Sequence, residues 1–263
     1  MTSSLRLLDL ASRIALVTGG SSGIGRAVAL ALAQQGCLVW TLDLQPPHVK
    51  SGDDAAGVHN DLKITHVRCD VSRSSDVDAA VSFVASSVGG KLDYLVNVAG
   101  IDPKYSLEEG DEAAWSRVVD TNLRSSYLIT RRAVPMLERG AGRAIVNVSS
   151  LSAFLGVKRR SIYAASKAGV LGLTTGLARE LGEKEIRINS VCPGWVHTER
   201  QRAEYFTGVS ARENIAYLDS VQSLRGKRIT PEEVAAPILF LLSDASAAIT
   251  GTNIMVDAGW RLQ

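Results

Sequence analysis

The chain has 263 residues, enough for one large α/β domain with a substantial core, and we expect a single domain over residues 1–263. Hydrophobic residues make up 46 % and charged residues 21 %, and the formal net charge is +2, so nothing in the composition favours a nucleic-acid partner. No apolar run approaches membrane-spanning length and the N-terminus does not resemble a secretory signal, so we expect no membrane partner and a cytoplasmic protein.

The cysteines and histidines do not indicate a metal site or a disulfide framework. Cys37, Cys69 and Cys192 are odd in number, far apart and without a C-x-x-C pair. The four histidines show no metal-ligand spacing. We therefore expect a small-molecule site that contains no metal.

Short apolar runs alternate with amphipathic segments along the chain. The predicted strands are 14–18, 38–42, 64–68, 94–98, 143–148, 186–191 and 253–256, and the predicted helices are 26–35, 75–88, 112–139, 163–181 and 231–242. Pro135 is expected to bend or interrupt the third helix. This alternation predicts an α/β fold, a doubly wound Rossmann-type parallel sheet of about seven strands with helices on both faces, in which ligands bind beyond the carboxyl ends of the strands.

Two segments depart from this regular alternation. Residues 45–62 contain Pro46-Pro47 with scattered Asp and Gly, which predicts a surface loop without a function of its own. Residues 199–228 are polar, rich in arginine and longer than a connection requires. Because they follow a strand end that should face the ligand, we expect a mobile substrate lid.

Residues 18–25, with the sequence TGGSSGIG, connect the first predicted strand to the first predicted helix. Glycines at such a junction let the backbone turn sharply and approach a pyrophosphate, whose charge the N–H groups of the helix N-terminus stabilise. The spacing is G-x-x-x-G-x-G, not the G-x-G-x-x-G of many dehydrogenases. The context favours a dinucleotide site over a plain glycine turn.

Asp43 ends the second predicted strand, where an acid can bind the adenosine ribose hydroxyls and repel a 2′-phosphate. No arginine or lysine occupies positions 20 or 21 or directly follows Asp43. Both features predict NAD as the cofactor in preference to NADP. Asp70 and Val71 follow the third strand and could meet the adenine, although Asp70 could equally cap the next helix.

Tyr163 and Lys167 are four residues apart at the start of a predicted helix, so their side chains should share one face. A lysine about 4 Å from a phenol favours the phenolate by about 4 kcal/mol at an effective dielectric near 20. This would bring the tyrosine pKa towards the range where a general acid/base works. Alone, the pair could also be an ordinary solvated helix face.

Several ordered motifs resemble the short-chain dehydrogenase/reductase family. Its glycine motif is matched by Thr18, Gly19, Gly23 and Gly25, and its N-N-A-G turn by residues 97–100, with Val98 as a departure at the second position. Its catalytic tetrad is matched by Asn122, Ser150, Tyr163 and Lys167. Residues 193–198, PGWVHT, match its P-G-x-x-x-T segment at the nicotinamide. The resemblance runs from about residue 9 to the C-terminus.

The resemblance implies a role for each matched residue. Ser150 would hydrogen-bond the reacting oxygen, Tyr163 would exchange its proton, and Lys167 would lower the tyrosine pKa and hold the nicotinamide ribose. Asn122 would anchor a proton-relaying water, and the spacing to Tyr163 favours Ser150 over its neighbours Ser149 and Ser152. A homotetramer, or a dimer, paired partly through the helices containing Glu112 and Tyr163 is also implied. The residues expected to bind the cofactor are Gly19, Ser22, Gly23, Ile24, Gly25, Asp43, Asp70, Val71, Asn97, Ala99, Gly100, Tyr163, Lys167, Pro193, Gly194, Val196 and Thr198.

The C-terminal part gives a hint of the substrate. Residues 193–201, PGWVHTERQ, and 256–260, VDAGW, resemble the sugar (aldose) dehydrogenases of this family, which oxidise the anomeric carbon to a lactone. Trp195 or Trp260 could stack on a sugar face or simply pack in the core. We therefore expect an NAD-dependent oxidoreductase acting on a sugar or related polyhydroxy substrate.

Two alternatives and one open question accompany this prediction. The chain could be a reductase of 3-oxoacyl or other carbonyl substrates, although Asp43 argues against it because such reductases usually resemble NADPH users. It could also be a non-catalytic relative that binds nucleotide, against which the complete tetrad argues. Lys158, Arg159 and Arg160 could face an acidic substrate, such as a sugar acid, or only solvent.

Overall fold

A sheet of seven parallel strands forms the centre of the computed structural model, which describes residues 9–46 and 62–262. The strands are β1 (Ile14–Thr18), β2 (Leu38–Asp43), β3 (Ile64–Arg68), β4 (Tyr94–Asn97), β5 (Ala144–Val148), β6 (Arg187–Pro193) and β7 (Asn253–Val256). Their order in the sheet is β3-β2-β1-β4-β5-β6-β7. The connection from β3 to β4 therefore crosses from one half of the sheet to the other. The crevice between the neighbouring strands β1 and β4 is the position where ligands bind in such folds.

Helices cover both faces of the sheet. They are α1 (Gly23–Gln34), α2 (Ser74–Ser87), α3 (Glu112–Val119), α4 (Ser125–Leu137), α5 (Ser161–Gly182), α6 (Glu199–Tyr205), α7 (Ala211–Val221) and α8 (Pro231–Leu242). Alternate residues of β1 supply the two cores: Ala15 and Val17 pack with α1 and α8, whereas Leu16 packs with α2, α4 and α5. The predicted doubly wound parallel sheet is confirmed.

The long helical stretch predicted over 112–139 is interrupted at a different place from the one expected. A π-helical turn at Asp120–Arg124 separates α3 from α4, and Pro135 lies inside the last turns of α4. The helix continues past Pro135 to Leu137, so the interruption expected from the sequence at this proline does not occur. The π turn carries Asn122, one of the predicted catalytic residues.

The two irregular segments have different outcomes. Most of the loop predicted over 45–62 lies outside the described residues. The region 199–228 is not an extended loop, since it contains α6 and α7. Thr198 caps α6 by accepting a hydrogen bond from the backbone N–H of Gln201, which explains why this polar segment forms a helix.

All three cysteines are buried free thiols. Burial raises the pKa of Cys37 and of Cys69 to about 12 in each case, so both thiols stay protonated and unreactive. Among the described residues, no histidine, cysteine and carboxylate side chains are grouped to hold a metal ion. Across 9–46 and 62–262, no helix is both long enough and apolar enough to cross a membrane.

Asp93, just before β4, holds the amino ends of three strands together. Its carboxylate accepts hydrogen bonds from the backbone N–H groups of Ile14 (2.8 Å), Ala141 (2.7 Å) and Gly142 (2.9 Å). The Arg13 guanidinium lies 3.6 Å away. Because Asp93 is buried, removing its carboxylate would take the acceptor from all three donors, of which Ile14 and Gly142 belong to half-buried residues.

We expect Asp93→Ala to lower the free energy of unfolding by about 2 kcal/mol or more, because three backbone N–H groups lose their acceptor and those of Ile14 and Gly142 belong to half-buried residues. The matched control is Asp78→Ala, which removes a surface carboxylate paired with Arg132 and should cost much less stability. Urea unfolding of both variants and the parent protein measures the difference. Equal losses for the two variants would show that Asp93 is not a structural anchor.

Candidate active site

A cleft of about 450 Å³ opens at the carboxyl edge of the sheet, next to the ends of the neighbouring strands β1 and β4. Its wall includes three residues of the predicted catalytic tetrad: Ser150, Tyr163 and Lys167. Ile24 from the glycine-rich loop and Gly194 from the segment after β6 line the same cleft. The predicted dinucleotide and catalytic motifs, far apart in sequence, are therefore contiguous in space.

The glycine-rich loop, the glycine cradle, packs so closely against its own backbone and the turn after β4 that side chains larger than glycine would clash. Gly19 adopts φ +68°, and a Cβ there would lie 3.0 Å from the backbone of Ala99. A Cβ on Gly25 would lie 2.0 Å from the carbonyl oxygen of Gly19. Within the described chain, the Ser22 side chain makes no capping hydrogen bond to α1, so it does not occupy the first N–H groups of that helix. The loop fits a pyrophosphate at a helix N-terminus.

Asp43 lies at the end of β2, directly beside this loop. Its carboxylate accepts a hydrogen bond of 3.0 Å from the backbone N–H of Ser21. The Ser21 hydroxyl in turn donates to the carbonyl oxygen of Gln45 at 2.5 Å. Asp43 is thus held at the rim of the glycine cradle, and its contact with a ribose stays a prediction.

Asp70 does not cap the helix that follows it. Helix α2 begins after Arg73, and the Asp70 carboxylate accepts hydrogen bonds from the backbone and hydroxyl of Ser72, at 3.0 and 2.6 Å. Val71 is buried in the core beside α2. Of the two alternatives for Asp70, the helix cap is therefore wrong, and the adenine contact stays a prediction.

The side chain of Asn97 faces away from the cleft. Its amide donates to Asn147 at 2.8 Å and to Thr130 at 3.2 Å, in a buried polar network that continues from Asn147 to Thr174. Val98 and Gly100, two and four positions into the N-V-A-G turn, line the cleft instead. Asn97 therefore supports the turn from below, whereas the turn itself forms the wall.

Asn122 connects the π turn to the chain beyond β4. Its amide oxygen accepts from the Ile101 N–H at 2.8 Å, and its amide nitrogen donates to the Ile101 carbonyl at 2.9 Å and to the Ser166 hydroxyl at 3.0 Å. A Cβ on Gly100 would lie 3.1 Å from Asn122 Oδ1 and 3.3 Å from Lys167 Nζ. Asn122 and Lys167 thus converge behind Gly100.

Ser150 follows β5 and its side chain hydrogen-bonds the hydroxyl of Tyr163. The two neighbouring serines have other roles: the Ser149 hydroxyl donates to the carbonyl oxygen of Lys167 at 2.8 Å, and the Ser152 backbone N–H donates to Ser150 Oγ at 3.1 Å. Of the three serines, Ser150 is therefore the one in contact with the phenol.

Burial raises the pKa of Tyr163 above its usual value, and the negative charge of Asp102 adds to the rise. The hydrogen bond with Ser150 and the positive charges of Arg160 and Arg200 oppose it. The arginines, rather than Lys167, are the leading cations that act on the phenol. The Lys167 ammonium donates to the Val148 carbonyl at the end of β5, and its expected effect on the tyrosine pKa stays a prediction.

Lys167 is 4 % exposed, and its ammonium donates a hydrogen bond of 2.8 Å to the carbonyl oxygen of Val148. Burial lowers its pKa to about 8, with Cys192 and Asp102 opposing the fall. At neutral pH the ammonium still carries its proton. The site thus keeps a buried positive charge beside Gly100, at the position where the family resemblance implies a ribose.

Lys158, Arg159 and Arg160 separate in the structure. Lys158 and Arg160 line the cleft. Arg159 is 44 % exposed and pairs with Glu109 at 2.6 Å. The guanidinium of Arg160 pairs with Asp102 at 2.7 Å, and both side chains are largely buried. The sequence left open whether these three cations face a substrate or solvent. In the structure Arg160 faces the site, whereas Arg159 faces solvent.

Part of the predicted lid lies against the cleft. Arg200, at the start of α6, pairs with Asp102 at 2.5 Å. The Trp195 indole N–H donates to Gln201 Oε1 at 2.7 Å, and its ring packs edge-on against Tyr205 at 5.3 Å between centroids. Trp260 also lines the cleft. Both tryptophans that were candidates for sugar stacking are therefore at the site, and Trp195 is also fixed by packing.

The segment after β6 meets the glycine loop. A Cβ on Gly23 would lie 3.2 Å from the side chain of Thr198, and the Gly194 N–H donates to the Val256 carbonyl at 2.9 Å. Pro193, Gly194, Val196 and Thr198 all line the cleft. His197 faces Phe206, with ring centroids 4.0 Å apart, and burial lowers its pKa. It is a packing residue.

Asp102 and Lys104 are site residues that the sequence reasoning missed. Both line the cleft, and Asp102 joins Arg160 to Arg200. The Lys104 ammonium lies 4.2 Å from the centroid of the Tyr205 ring. Their position in the sequence could have indicated them, because Asp102 comes two residues after the N-V-A-G turn, which lies at the carboxyl edge of the sheet.

We expect Lys167→Met to stabilise the ligand-free protein by about 1–2 kcal/mol at pH 7. The unfolded chain holds the lysine proton up to about pH 10.5, the folded chain only to about pH 8, so the buried charge destabilises the fold below pH 8 and this penalty fades towards pH 10.5. The substitution removes this penalty of roughly 3 kcal/mol but also loses the hydrogen bond to Val148, which costs about 1 kcal/mol.

Urea unfolding at pH 7 and pH 10 tests this expectation, with Lys91→Met as the exposed control. The gain should appear at pH 7, shrink at pH 10, and be absent in the control. A stability change in Lys167→Met that is the same at both pH values would show that no depressed lysine pKa is involved.

Comparisons with known proteins agree with this geometry. A family model described as enoyl-(acyl carrier protein) reductase matches residues 19–261. The D-xylose 1-dehydrogenase of Caulobacter vibrioides is 35 % identical over 254 residues, covering 96 % of this chain and 97 % of that protein. A 3-oxoacyl-[acyl-carrier-protein] reductase of Chlamydia muridarum is 36 % identical over 252 residues, covering 95 % and 98 %.

Among solved structures, the ligand-free aldohexose dehydrogenase of Thermoplasma acidophilum superposes with a TM-score of 0.86 at 31 % sequence identity. The similarity covers 97 % of this chain and 96 % of that structure. The family model, the relatives and the structural similarity all span nearly the whole chain, so the chain belongs to the short-chain dehydrogenase/reductase family.

Proposed function

We propose that this protein is an NAD-dependent oxidoreductase that transfers a hydride between a hydroxyl or carbonyl carbon of a sugar, or a related polyhydroxy substrate, and the nicotinamide. The observation that carries this proposal is the shared cleft: Ser150, Tyr163 and Lys167 line it together with Ile24 of the glycine loop and Gly194 after β6. A dinucleotide held by the loop would reach the proton-exchanging residues without leaving the cleft.

The residues that would hold the dinucleotide fit its chemistry. The glycine loop and the N-terminus of α1 suit the pyrophosphate, because the glycines let the loop pack tightly in front of the helix and the Ser22 side chain makes no capping bond to its first N–H groups. The Lys167 ammonium behind Gly100 suits a ribose hydroxyl. When bound, the nicotinamide supplies the carbon that gives or accepts the hydride.

The preference for NAD rests on Asp43. Its carboxylate is held beside the loop by the Ser21 N–H, where it can accept hydrogen bonds from ribose hydroxyls but would repel a 2′-phosphate. Gly20, Ser21 and Leu44 provide no compensating positive charge in its immediate sequence. A 2′-phosphate would therefore meet a like charge at this rim.

Proton exchange falls to Tyr163. Its phenol hydrogen-bonds Ser150, so a substrate oxygen between the two would receive one donor from each. Because burial raises the tyrosine pKa, the phenol keeps its proton at neutral pH and is suited to give it to a carbonyl oxygen. In the oxidation direction, the nearby cations Arg160 and Arg200 favour the phenolate. Asn122 stands behind this pair, where a relay to solvent would begin.

A sugar or polyhydroxy substrate is supported by the polarity of the cleft and by two relatives. Hydroxyl groups require several donors and acceptors, and the cleft lining beside Tyr163 includes the hydroxyls of Ser150 and Ser152 and the ammonium of Lys104. One relative acts on D-xylose and one structural neighbour is an aldohexose dehydrogenase. Assembly as a homotetramer or dimer would suit the exposed Trp115 on α3.

The second candidate is a reductase of 3-oxoacyl or other carbonyl substrates. The family model's description and the Chlamydia reductase favour it. Asp43 argues against it, because it disfavours NADP. A screen of aldoses, sugar acids, polyols and keto acids, following the absorbance of the reduced cofactor with NAD and with NADP, discriminates the two. Reduction of keto substrates with NADPH alone would favour the reductase.

We expect Tyr163→Phe to lower kcat by about 1,000-fold, because the substrate oxygen loses its proton partner, while the Kd for NAD changes less than about threefold. Tyr127→Phe is the matched control, since Tyr127 lies exposed on α4 and should leave both quantities unchanged. Steady-state kinetics and fluorescence titration measure them. A Tyr163→Phe enzyme that keeps a tenth of the parent kcat would overturn the proposed chemistry.

We expect Asp43→Ala to narrow the preference for NAD over NADP by about tenfold or more, because the repulsion of the 2′-phosphate is removed. The ratio of kcat/KM values for the two cofactors measures it, with Asp78→Ala as a surface control. If the ratio is the same in Asp43→Ala and in the parent enzyme, the acid does not lie at the ribose.

A further inference from the structure

The charged side chains around the cleft are strongly unbalanced. Among the described residues that line it, one carboxylate faces five cations: the lining charges are Asp102, Lys104, Lys158, Arg160, Lys167 and Arg200. The whole chain, by contrast, has a net charge of only +2. The excess of positive charge is therefore a local property of this cleft and not a reflection of a basic protein.

Asp102 is shared between two guanidinium groups. It accepts from Arg160 at 2.7 Å on one oxygen and from Arg200 at 2.5 Å on the other. Inside the cleft one carboxylate therefore serves two guanidinium groups, while Arg200 also lies 3.6 Å from Glu204, which is 45 % exposed and lies outside the cleft lining. Only one N–H of Arg160 is engaged by Asp102, out of the five donors that a guanidinium carries.

Burial makes this unbalanced charge meaningful. The side chain of Arg160 is 15 % exposed and that of Asp102 is 13 % exposed. Partly desolvated charges are costly unless they are paired, and an unmatched cation in such a place attracts an anion. Arg159 provides the comparison within the chain, because it is 44 % exposed and has its own carboxylate, Glu109, outside the cleft.

Arg160 also lies next to the proposed reaction centre. It precedes Tyr163 by three residues at the start of α5, and its guanidinium carbon is 5.9 Å from the centroid of the tyrosine ring. Arg200 approaches from α6 across the cleft, so the two arginines and Tyr163 surround one space. An acid group bound there would belong to the same small molecule that presents its hydroxyl or carbonyl to Tyr163.

From this arrangement we infer that the substrate is an anion: a polyhydroxy acid whose carboxylate is bound by Arg160 with Arg200, rather than a neutral aldose. This inference rests on the proposed function and narrows its substrate class. A carboxylate accepts two parallel N–H bonds from a guanidinium, a recognition that a neutral CH₂OH group cannot reproduce. Asp102 then positions both arginines instead of binding the substrate itself.

Matched sugar pairs test the inference. D-galactose with D-galacturonate, and D-glucose with D-glucuronate, differ only in a terminal CH₂OH or carboxylate group. Equilibrium binding to the NAD-loaded protein is followed by tryptophan fluorescence, since Trp195 and Trp260 line the cleft, and kcat/KM is measured in parallel. We expect the acid of at least one pair to bind about tenfold or more tighter than its neutral partner.

Variants assign that preference to the guanidinium. Arg160→Gln should remove the preference for the acid, Arg160→Lys should retain part of it, and the control Arg159→Gln should leave it unchanged. Thermal unfolding of each variant verifies that the fold is intact. Should Arg160→Gln fail to fold, the Arg160→Lys and Arg159→Gln pair still decides, because only the former should weaken the preference.

The outcomes separate the inference from the function on which it rests. If neutral sugars bind and are oxidised as well as the acids, and Arg160→Gln changes neither, the anionic substrate is wrong although the dehydrogenase function stands. If the acids bind in an Arg160-dependent way but no compound reduces NAD, the anion site stands and the dehydrogenase function fails. If no member of either pair binds, the inference is overturned.

Discussion

The hydroxyl of Thr18 fixes the geometry on which the whole site depends. At the end of β1 it accepts the backbone N–H groups of both Val98 and Ala99, at 3.0 and 3.1 Å, and so joins the glycine loop to the turn after β4. That turn ends at Gly100, which touches Asn122 and Lys167. The dinucleotide cradle and the proposed proton-exchanging residues are therefore linked through one side chain at the point where the sheet changes direction. A parallel sheet supplies the common edge, and this contact sets the distance between its two halves.

Several charged side chains lie in the cleft although burying a charge costs free energy. Lys167 has a carbonyl oxygen as its hydrogen-bond acceptor, and burial lowers its pKa to about 8. Arg160 shares its carboxylate with Arg200. Arg200 also pairs with the exposed Glu204, but inside the cleft both arrangements leave positive charge incompletely neutralised, which a protein selected only for stability would avoid. The stability lost at this edge is the physical reason to expect ligands that bring negative charge or hydroxyl oxygens to it, and Asp93 at the opposite edge shows the contrasting arrangement, a carboxylate satisfied by backbone donors.

The sheet, its strands and the family could be predicted from the sequence because hydrophobic alternation and ordered motifs are local signals. The break near Asn122 could not, since a single π turn of five residues is too short to change the hydrophobic pattern of a long helical stretch, and Pro135 was the more conspicuous helix breaker. The i, i+4 rule correctly places Lys167 on the same helix face as Tyr163. It does not predict where the lysine ammonium lies, because that position depends on the hydrogen bond to the Val148 carbonyl. The split between Arg159 and Arg160 depends on Asp102, a partner 58 residues from Arg160 that no local pattern indicates.

The most direct test of the central claim, that this cleft transfers a hydride between substrate and nicotinamide, follows the transferred atom itself. The compound from the screen with the highest kcat/KM is deuterated at its reacting carbon, and the reduced cofactor is analysed by mass spectrometry. We predict one deuterium in each molecule of reduced NAD, together with a slower turnover if the transfer limits the rate. Reduced cofactor without deuterium would contradict the claim.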